Sequence, residues 1–156
     1  MKKHIIDLRI TFVDRLHPRY VLIKGTPADG SRLPEMLPGQ FAQLKVEGSP
    51  ETYLRRPISI HDVTSDTVTS TNKGEEDSFL IALAGKGTRQ LATLKVGDTL
   101  NCIIPLGRGF SMPTTDAPRI LLCGGGVGIA PLLLMGRRMK EAGFEPTFLL
   151  GGRSAG

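Results

Sequence analysis

The segment Arg55-Arg56-Pro57-Ile58-Ser59-Ile60 places a guanidinium beside a short apolar run, with a hydroxyl three residues later. An arginine can hold a phosphate through two parallel N–H groups, so Arg56 is a candidate ligand for a diphosphate, with Ser59 reaching a ring heteroatom. The alternative is structural, because an Arg-Pro pair also occurs where an edge strand ends. These residues alone leave both interpretations open.

A second candidate is the glycine cluster Gly124-Gly125-Gly126-Val127-Gly128, between a predicted strand and a predicted helix. Backbone N–H groups at a helix N terminus attract phosphate, and glycines let it approach the backbone closely. The spacing departs from G-x-G-x-x-G, because Ile129 or Pro131 stands at the third glycine position. A tight strand-to-helix turn is the alternative, so the cluster alone indicates nucleotide binding only weakly.

Two further glycine-rich segments follow predicted strands. In Ala84-Gly85-Lys86-Gly87-Thr88, the last two residues are placed where a helix N terminus takes phosphate or presents a hydroxyl. The alternative is a simple glycine-rich turn. Pro105-Leu106-Gly107-Arg108-Gly109-Phe110 ends in an aromatic residue that we expect to pack at a domain junction.

The elements that must position these groups change character near residue 112. Before it, short apolar runs separated by turn signals are typical of an antiparallel barrel. Alternation of Ile6, Leu8, Ile10 and Phe12 predicts a strand with one buried face. The six predicted strands cover 6–12, 20–23, 40–46, 57–61, 79–84 and 100–105, with a hairpin tip over 64–77 and a short helical turn over 89–93.

After residue 112 the pattern is that of a Rossmann-like α/β domain. A strand over 119–123, a helix over 131–142 that Gly143 ends, and a strand over 146–150 form one strand–helix–strand unit. A parallel sheet normally needs several such units to cover both faces. The predicted organisation is an all-β antiparallel six-stranded barrel over 1–112, a linker over 113–118, and a partial, truncated nucleotide-binding domain over 119–156.

Charge and hydropathy exclude several classes of protein. The net charge of +5 arises from scattered lysines and arginines, and there is no Trp for base stacking, so nucleic-acid binding is not expected. No apolar run reaches the roughly eighteen residues of a membrane helix, and the N terminus does not resemble a signal peptide. We therefore expect a cytoplasmic protein that binds an anionic ligand.

The two cysteines, Cys102 and Cys123, each lie in an apolar strand-like run, and we expect both to be buried as small hydrophobic residues. Two thiols cannot supply a four-thiolate iron–sulfur site. His4, His17 and His61 show no ligand spacing, so no metal is expected.

The order of the motifs resembles the ferredoxin–NADP reductase superfamily over nearly the whole chain. Within it, the chain most resembles the electron transfer subunits of type B dihydroorotate dehydrogenases. Ile58 stands where many other relatives have Tyr, and Gly-Lys-Gly-Thr and Gly-Gly-Arg-Ser also agree with those subunits. The motifs in order are Pro38-Gly39-Gln40-Phe41, Arg-Pro-x-Ser, Gly-x-Gly-Thr, Gly97-Asp98-Thr99-Leu100, Pro-Leu-Gly-x-Gly-Phe and Gly-Gly-Gly-x-Gly-x-x-Pro.

This resemblance implies an FAD site in the barrel and a pyridine-nucleotide site in the second domain. The implied FAD contacts are Arg56, Pro57, Ile58, Ser59, Leu80, Ile81, Ala82, Gly87 and Thr88. The diphosphate of NAD(H) is expected at Gly124, Gly125, Gly126, Val127 and Gly128, with Gly152, Arg153 and Ser154 near its ribose. NADP also stays open, because Arg153 can meet a 2′-phosphate.

In that family, NADH gives a hydride to FAD, which releases electrons singly to a [2Fe–2S] cluster and then to the FMN of a catalytic subunit. That subunit oxidises dihydroorotate to orotate in pyrimidine biosynthesis. The resemblance implies an FAD-dependent oxidoreductase subunit of a hetero-oligomer, not active alone as this fragment. The family's cluster cysteines lie near its C terminus, so no cluster ligands are expected here.

Two alternatives to this function stay open. The chain can belong to another flavin-dependent system, such as a hydrogenase or sulfide-linked reductase subunit or a stand-alone flavin reductase. It can also be a non-catalytic β-barrel binding module, which predicts a colourless protein without flavin affinity.

Overall fold

The computed structural model of the chain describes residues 2–64, 75–114 and 119–152. In chain order the elements are β1 (His4–His17), β2 (Tyr20–Pro27), β3 (Phe41–Leu44), β4 (Arg56–Ser59), β5 (Asp62–Thr64), β6 (Glu76–Ala82), α1 (Lys86–Leu91), β7 (Thr99–Leu106), β8 (Ile120–Gly125), a 3-10 helix (Gly126–Ile129), α2 (Leu132–Glu141) and β9 (Pro146–Gly151). No helix in these ranges is long and apolar enough to cross a membrane.

Some of the predicted features fall outside the described ranges. These are most of the hairpin tip, most of the linker, and the residues expected near the nucleotide ribose from Arg153 onward. The boundaries of the two domains accordingly stay predictions.

The first seven strands form one curled antiparallel sheet in the order β4-β3-β7-β1-β2-β6-β5. The predicted antiparallel architecture is confirmed, but the sheet has seven strands where six were predicted. The additional strand is β5, which follows β4 after only Ile60 and His61. The Ile60 N–H donates to Gln40 at 3.0 Å and the His61 N–H donates to Ser78 at 2.9 Å. The segment 56–64 therefore changes partner from β3 to β6 and joins the two ends of the sheet.

The core of this sheet comes from the alternating inward positions of its strands. Leu8, Ile23 and Phe79 are fully buried, and α1 adds Leu91 from one end. Burying side chains of this size stabilises each by about 1.5–3 kcal/mol relative to exposure. The curled sheet thus has a continuous core, which Leu134 of α2 also joins.

The alternation predicted for β1 fails at its fourth position. Leu8 and Ile10 are buried as expected, but Phe12 is 41% exposed. The pairing of β1 with β2 shifts register between Ile10 and Phe12, and such an irregularity turns the following side chains away from the core face. The Phe12 ring instead lies under the Lys24 ammonium, 5.4 Å from it.

The first helix begins earlier than the predicted turn over 89–93. α1 starts at Lys86 because the Thr88 hydroxyl caps it: the Gly85 N–H donates to Thr88 Oγ1 at 3.1 Å, and that hydroxyl lies 3.1 Å from the Gly85 carbonyl. The sequence analysis placed Gly87 and Thr88 at a helix N terminus, and both lie in the first turn of α1.

The second sheet consists of β8 and β9, which pair in parallel, with α2 packed on one face. Gly136 of α2 allows this packing, because a Cβ there would overlap the Phe148 ring. A small separate cluster forms the core: Leu122, Leu132, Met135 and Met139. The predicted strand–helix–strand order is present, and Gly143 ends the helix region with φ of +87°.

One expectation for this unit is wrong. Cys123 is exposed, whereas Cys102 is buried as predicted. Successive residues of a strand point to opposite faces, and α2 covers the face that carries Leu122. Cys123 therefore points away from the helix, and its apolar neighbours in sequence did not reveal this.

Candidate functional site

The Arg56 guanidinium lies over the first turn of α1. Its Nη1 donates to the Leu54 carbonyl at 2.9 Å and to the Arg55 carbonyl at 3.3 Å. The Nε–Nη2 edge faces Gly87, where a Cβ would lie only 2.9 Å from Cζ and 3.0 Å from Nη2. Two segments that are 31 positions apart in the sequence thus form one cradle, and Gly87 keeps that cradle free of a side chain.

The neighbouring Arg55 forms hydrogen bonds within the barrel instead of facing α1. Its Nη1 donates to the carbonyls of Gln43 and Asn101, both at 3.1 Å, and its Nη2 bonds the Asn101 side chain. Arg55 therefore connects the start of β4 to β3 and β7. Of the two adjacent arginines, Arg56 is the one that faces the start of α1.

Charge around the cradle is partly balanced. Lys86, the first residue of α1, forms an ion pair of 2.5 Å with Glu51. Both side chains are more than half exposed, so this pair contributes little to stability. The Arg56 guanidinium is the positive group nearest Gly87 among the contacts described here.

The other residues of the predicted flavin site differ in how much of each is exposed. Pro57 is exposed, and Ile58 and Ser59 are half-buried. On β6, Leu80 is half-buried while Ile81 is fully buried in the barrel core. Ala82 and Thr88 are half-buried, and Gly87 is buried under Arg56. Only the backbone of Ile81 is left to face a ligand, because its side chain packs inward.

Different structural constraints explain why glycine stands at each position of the cluster. A Cβ on Gly124 would lie 2.8 Å from the Leu132 side chain, so this glycine permits close packing of α2 on β8. Gly126 has φ of +55°, in the region that favours glycine. Around Gly128 there is open space, and at Gly125 a Cβ would meet only the Gly151 carbonyl at 3.7 Å. Space for a ligand therefore lies at Gly125 and Gly128.

The helix after the cluster is arranged differently from the prediction. A 3-10 helix over Gly126–Ile129 comes first, and α2 begins at Leu132 with Pro131 as its N-cap residue. The N–H of Leu134, in the first turn of α2, donates to the His61 carbonyl of the barrel at 3.3 Å. The amides that can face a phosphate are consequently those of the 3-10 helix.

Two motifs of the resemblance meet each other in the barrel. Gln40 is buried, accepts from the Leu37 N–H at 2.7 Å and donates to the Gly107 carbonyl at 3.1 Å. Phe110 covers Gly39, and its N–H donates to the Pro38 carbonyl at 2.7 Å. These contacts join two loops of the barrel, so Phe110 packs on the barrel's own loop.

A buried acid lies in the barrel away from these motifs. Asp77 is fully buried, and neither carboxylate oxygen meets hydrogen-bond geometry with any residue in the described ranges. Burial raises the pKa of Asp77 well above its ordinary value, and the nearby Asp62 adds to the rise, against an opposing effect of the Ser78 amide. Burial and the nearby Asp77 carboxylate also raise the pKa of the Cys102 thiol.

The sequence analysis missed several residues near the glycine cluster. The Tyr20 hydroxyl lies 4.0 Å from where a Cβ on Gly126 would be. His61, Asp62 and Arg137 form contacts between the barrel and α2. The position of His61 and Asp62 directly after Arg-Pro-Ile-Ser-Ile was the only available signal.

Relatives among curated proteins agree with the motifs. The dihydroorotate dehydrogenase B (NAD(+)), electron transfer subunit of Listeria monocytogenes serovar 1/2a is 40% identical over 123 residues, covering 77% of this chain and 44% of the relative. The subunit of the same name from Desulforamulus reducens is 33% identical over 149 residues, covering 96% of this chain and 53% of the relative. The resemblance is confirmed. The chain spans about half the length of these electron transfer subunits, and no family model matches it.

Solved structures agree at the level of the fold. A ferredoxin reductase in carbazole 1,9a-dioxygenase superposes with a TM-score of 0.76 at 23% identity, over 98% of this chain and 45% of that one. A second structure is that of an NADH-dependent reduced ferredoxin-NADP oxidoreductase, described for flavin-based electron bifurcation. It superposes with a TM-score of 0.75 at 27% identity, over 94% of this chain and 49% of that one. The chain has the fold of these reductases.

Proposed function

We propose that the chain is the FAD-holding part of a dihydroorotate dehydrogenase electron transfer subunit, which passes electrons from NADH to a partner dehydrogenase. Bound FAD supplies the chemistry, since a flavin accepts a hydride and releases electrons one at a time. The observation that carries the proposal is the cradle between Arg56 and Gly87, in a chain whose relatives bear that name.

In this proposal Arg56 holds the FAD diphosphate. Its Nε–Nη2 edge is the pair of donors that suits two phosphate oxygens, and it faces the start of α1. The first amides of a helix have no partner within the helix, so the Gly87 N–H offers one further donor to the same group. Charge and paired donors therefore converge on one anion.

The two strands beside the cradle would hold the rest of FAD. Ile58 and Ser59 extend β4 beyond Arg56, and β6 also contacts β4. Half-buried Leu80 and Ala82 offer apolar surface and backbone groups, while the hydroxyl of Ser59 can bond a ring heteroatom. We propose that Pro57, Ile81 and Thr88 also contact FAD, Ile81 through its backbone and the other two through their backbone or the exposed part of their side chains.

The glycine cluster is proposed as the site for the diphosphate of NADH. Gly125 and Gly128 border open space, and the amides of the 3-10 helix point out of its N terminus. Arg153, in the segment after β9, is proposed to approach the ribose of the same nucleotide. NADH is preferred over NADPH because the relatives are named for NAD(+).

The proposal includes a hetero-oligomer with an FMN-containing catalytic subunit that oxidises dihydroorotate. The relatives are named as electron transfer subunits, a name that presupposes an electron-accepting or electron-donating partner. The cluster of the family is not assigned to this chain, because a four-thiolate [2Fe–2S] centre needs four cysteines and the chain has two.

Titration of the purified chain with FAD tests the proposal. We expect a bound-flavin visible spectrum, and we expect Arg56→Ala to weaken FAD binding by about 10- to 100-fold because a charge-assisted hydrogen bond contributes about 1.5–3 kcal/mol. Arg32→Ala is the matched control, since Arg32 is an exposed arginine in the loop between β2 and β3.

Two results would count against this function. Full FAD affinity in Arg56→Ala would remove the assigned role of that arginine. A wild-type chain without any flavin affinity would favour the non-catalytic binding module instead.

A further inference from the structure

Consecutive barrel residues hold the segment that follows the glycine cluster. His61 Nδ1 lies 2.7 Å from the Ala130 carbonyl, and because that oxygen only accepts, Nδ1 carries the hydrogen. The His61 carbonyl in turn accepts the Leu134 N–H. His61 therefore bonds the end of the 3-10 helix through its side chain and the first turn of α2 through its backbone.

Arg137 adds further contacts between α2 and the barrel. We call the contacts made by His61, Asp62, Val63 and Arg137 the seam. Its Nη2 pairs with the Asp62 carboxylate and also donates to the Val63 carbonyl. The Asp62 side chain is 17% exposed and that of Arg137 is 33% exposed, so water screens this pair less than an exposed one. Ser78 Oγ donates to the Asp62 carbonyl at 3.1 Å, which fixes β5 from the side of β6.

The middle of the glycine cluster also lies near the barrel. Tyr20, whose hydroxyl lies beside Gly126, pairs with Ala82 at the end of β6. The cluster thus has Tyr20 near its middle and His61 just beyond its end. Tyr20 belongs to β2, which pairs with β6, and His61 lies between β4 and β5.

We propose that Arg137, together with His61 and Asp62, positions the glycine cluster relative to the strands that hold FAD. This inference rests on the proposed function, because the orientation matters only if NADH must reach the flavin. The core of the second unit is small, and among the described residues its polar contacts with the barrel converge on 61–63. Arg137 is a positioning residue, and displacement of a reactant by about 1 Å can slow a reaction about 100-fold.

The chain offers a matched control for Arg137. The next residue, Arg138, pairs with Glu141 of its own helix at 3.1 Å and is 46% exposed. Arg138→Ala removes the same type of side chain from the same helix without touching the barrel. Arg137→Ala removes two bonds to β5.

The first measurement is the distance between spin labels on the two units. Cys123 is exposed and accepts a label, Cys102 is buried, and V96C adds a second site on the barrel at a residue that is 65% exposed. Wild type and Arg138→Ala should give one narrow distance distribution, whereas Arg137→Ala should give a broader or displaced one. Identical distributions for Arg137→Ala and Arg138→Ala would overturn the proposal.

The second measurement uses the FAD-loaded chain. Arg137→Ala should leave FAD affinity unchanged and slow flavin reduction by saturating NADH about tenfold or more relative to Arg138→Ala. Equal rates in the two variants would also overturn the proposal. A wild-type chain that binds no FAD would contradict the proposed function instead. The label distances, which need no ligand, would still decide whether the seam orients the cluster, also where NADH does not reduce this chain alone.

Discussion

The curled sheet and the β8–α2–β9 unit use similar apolar residues, but only the sheet surrounds them. In the sheet, the inward residues of seven strands and α1 share one core, to which α2 adds Leu134. In the second unit, α2 covers one face of two strands, and Leu121, Leu149 and Leu150 are each more than half exposed. The difference teaches that the proposed flavin half of the site takes nearly all of its core from its own strands, whereas the position of the glycine cluster depends on contacts with the barrel.

Substitutions in the two cores should have the largest effects on stability, and they test whether the two regions unfold separately. Phe79→Ala should lower the free energy of unfolding of the barrel by about 3–5 kcal/mol, because the ring is fully buried. Met139→Ala should cost about 2–5 kcal/mol in the second unit only. Hydrogen exchange resolved by peptide, with urea unfolding, measures both.

The contrast between the two variants decides the outcome. Met139→Ala should keep native exchange protection in β1, β2 and β6, while Phe79→Ala should lose it. If Met139→Ala removed protection from those strands equally, the two regions would share one cooperative core and the comparison would fail.

A smaller effect is expected from Asp77, the buried acid of the barrel. The pKa of buried Asp77 is raised, so between the ordinary Asp pKa of about 3.9 and the raised value the native state holds a proton that the unfolded state has released. Stability contributed by this group is therefore present at low pH and falls as pH rises through that window. Asp77→Asn cannot titrate and should lack this fall.

The measurement is the free energy of unfolding of wild type minus that of Asp77→Asn, followed from acidic to neutral pH. Effects of the ionisable groups that do not interact with Asp77 cancel in this difference. A difference that declines with rising pH agrees with the buried acid, and one that stays flat or rises would show that Asp77 is not the group concerned.

Local patterns predicted much of the fold. Alternation at Leu8 and Ile10 identified the buried face of β1, and the glycine at 143 marked the end of the α2 region. The same rule failed at Phe12, because the register shift beside it depends on pairing with β2 and leaves no mark in the β1 sequence. Cys123 was misjudged for a similar reason, since the face that α2 covers is a tertiary property.

The candidate site divides in the same way. The chemical types of Arg56 and Gly87 were visible in the sequence, but their contact joins residues 31 positions apart and needed the fold. The seam between Asp62 and Arg137 joins residues 75 positions apart and had no pattern to predict it. The order of the motifs suggested which segments would form one site. The structure adds the contact between Arg56 and Gly87.

The central claim is that the Arg56 guanidinium, in its position against Gly87, holds the FAD diphosphate at the start of α1. A methyl group on Gly87 would displace the guanidinium from that position, and because the guanidinium is the flexible end of its side chain, it can move aside at little cost in stability. Gly85→Ala is the matched control, because a Cβ on Gly85 meets nothing within 4 Å and its φ of −151° suits any residue.

Isothermal titration of the chain and these two variants with FAD tests this claim most directly. We predict that Gly87→Ala weakens binding about tenfold or more, equivalent to about 1.4 kcal/mol, while Gly85→Ala binds FAD nearly as tightly as wild type. Wild-type affinity in a folded Gly87→Ala chain would contradict the claim.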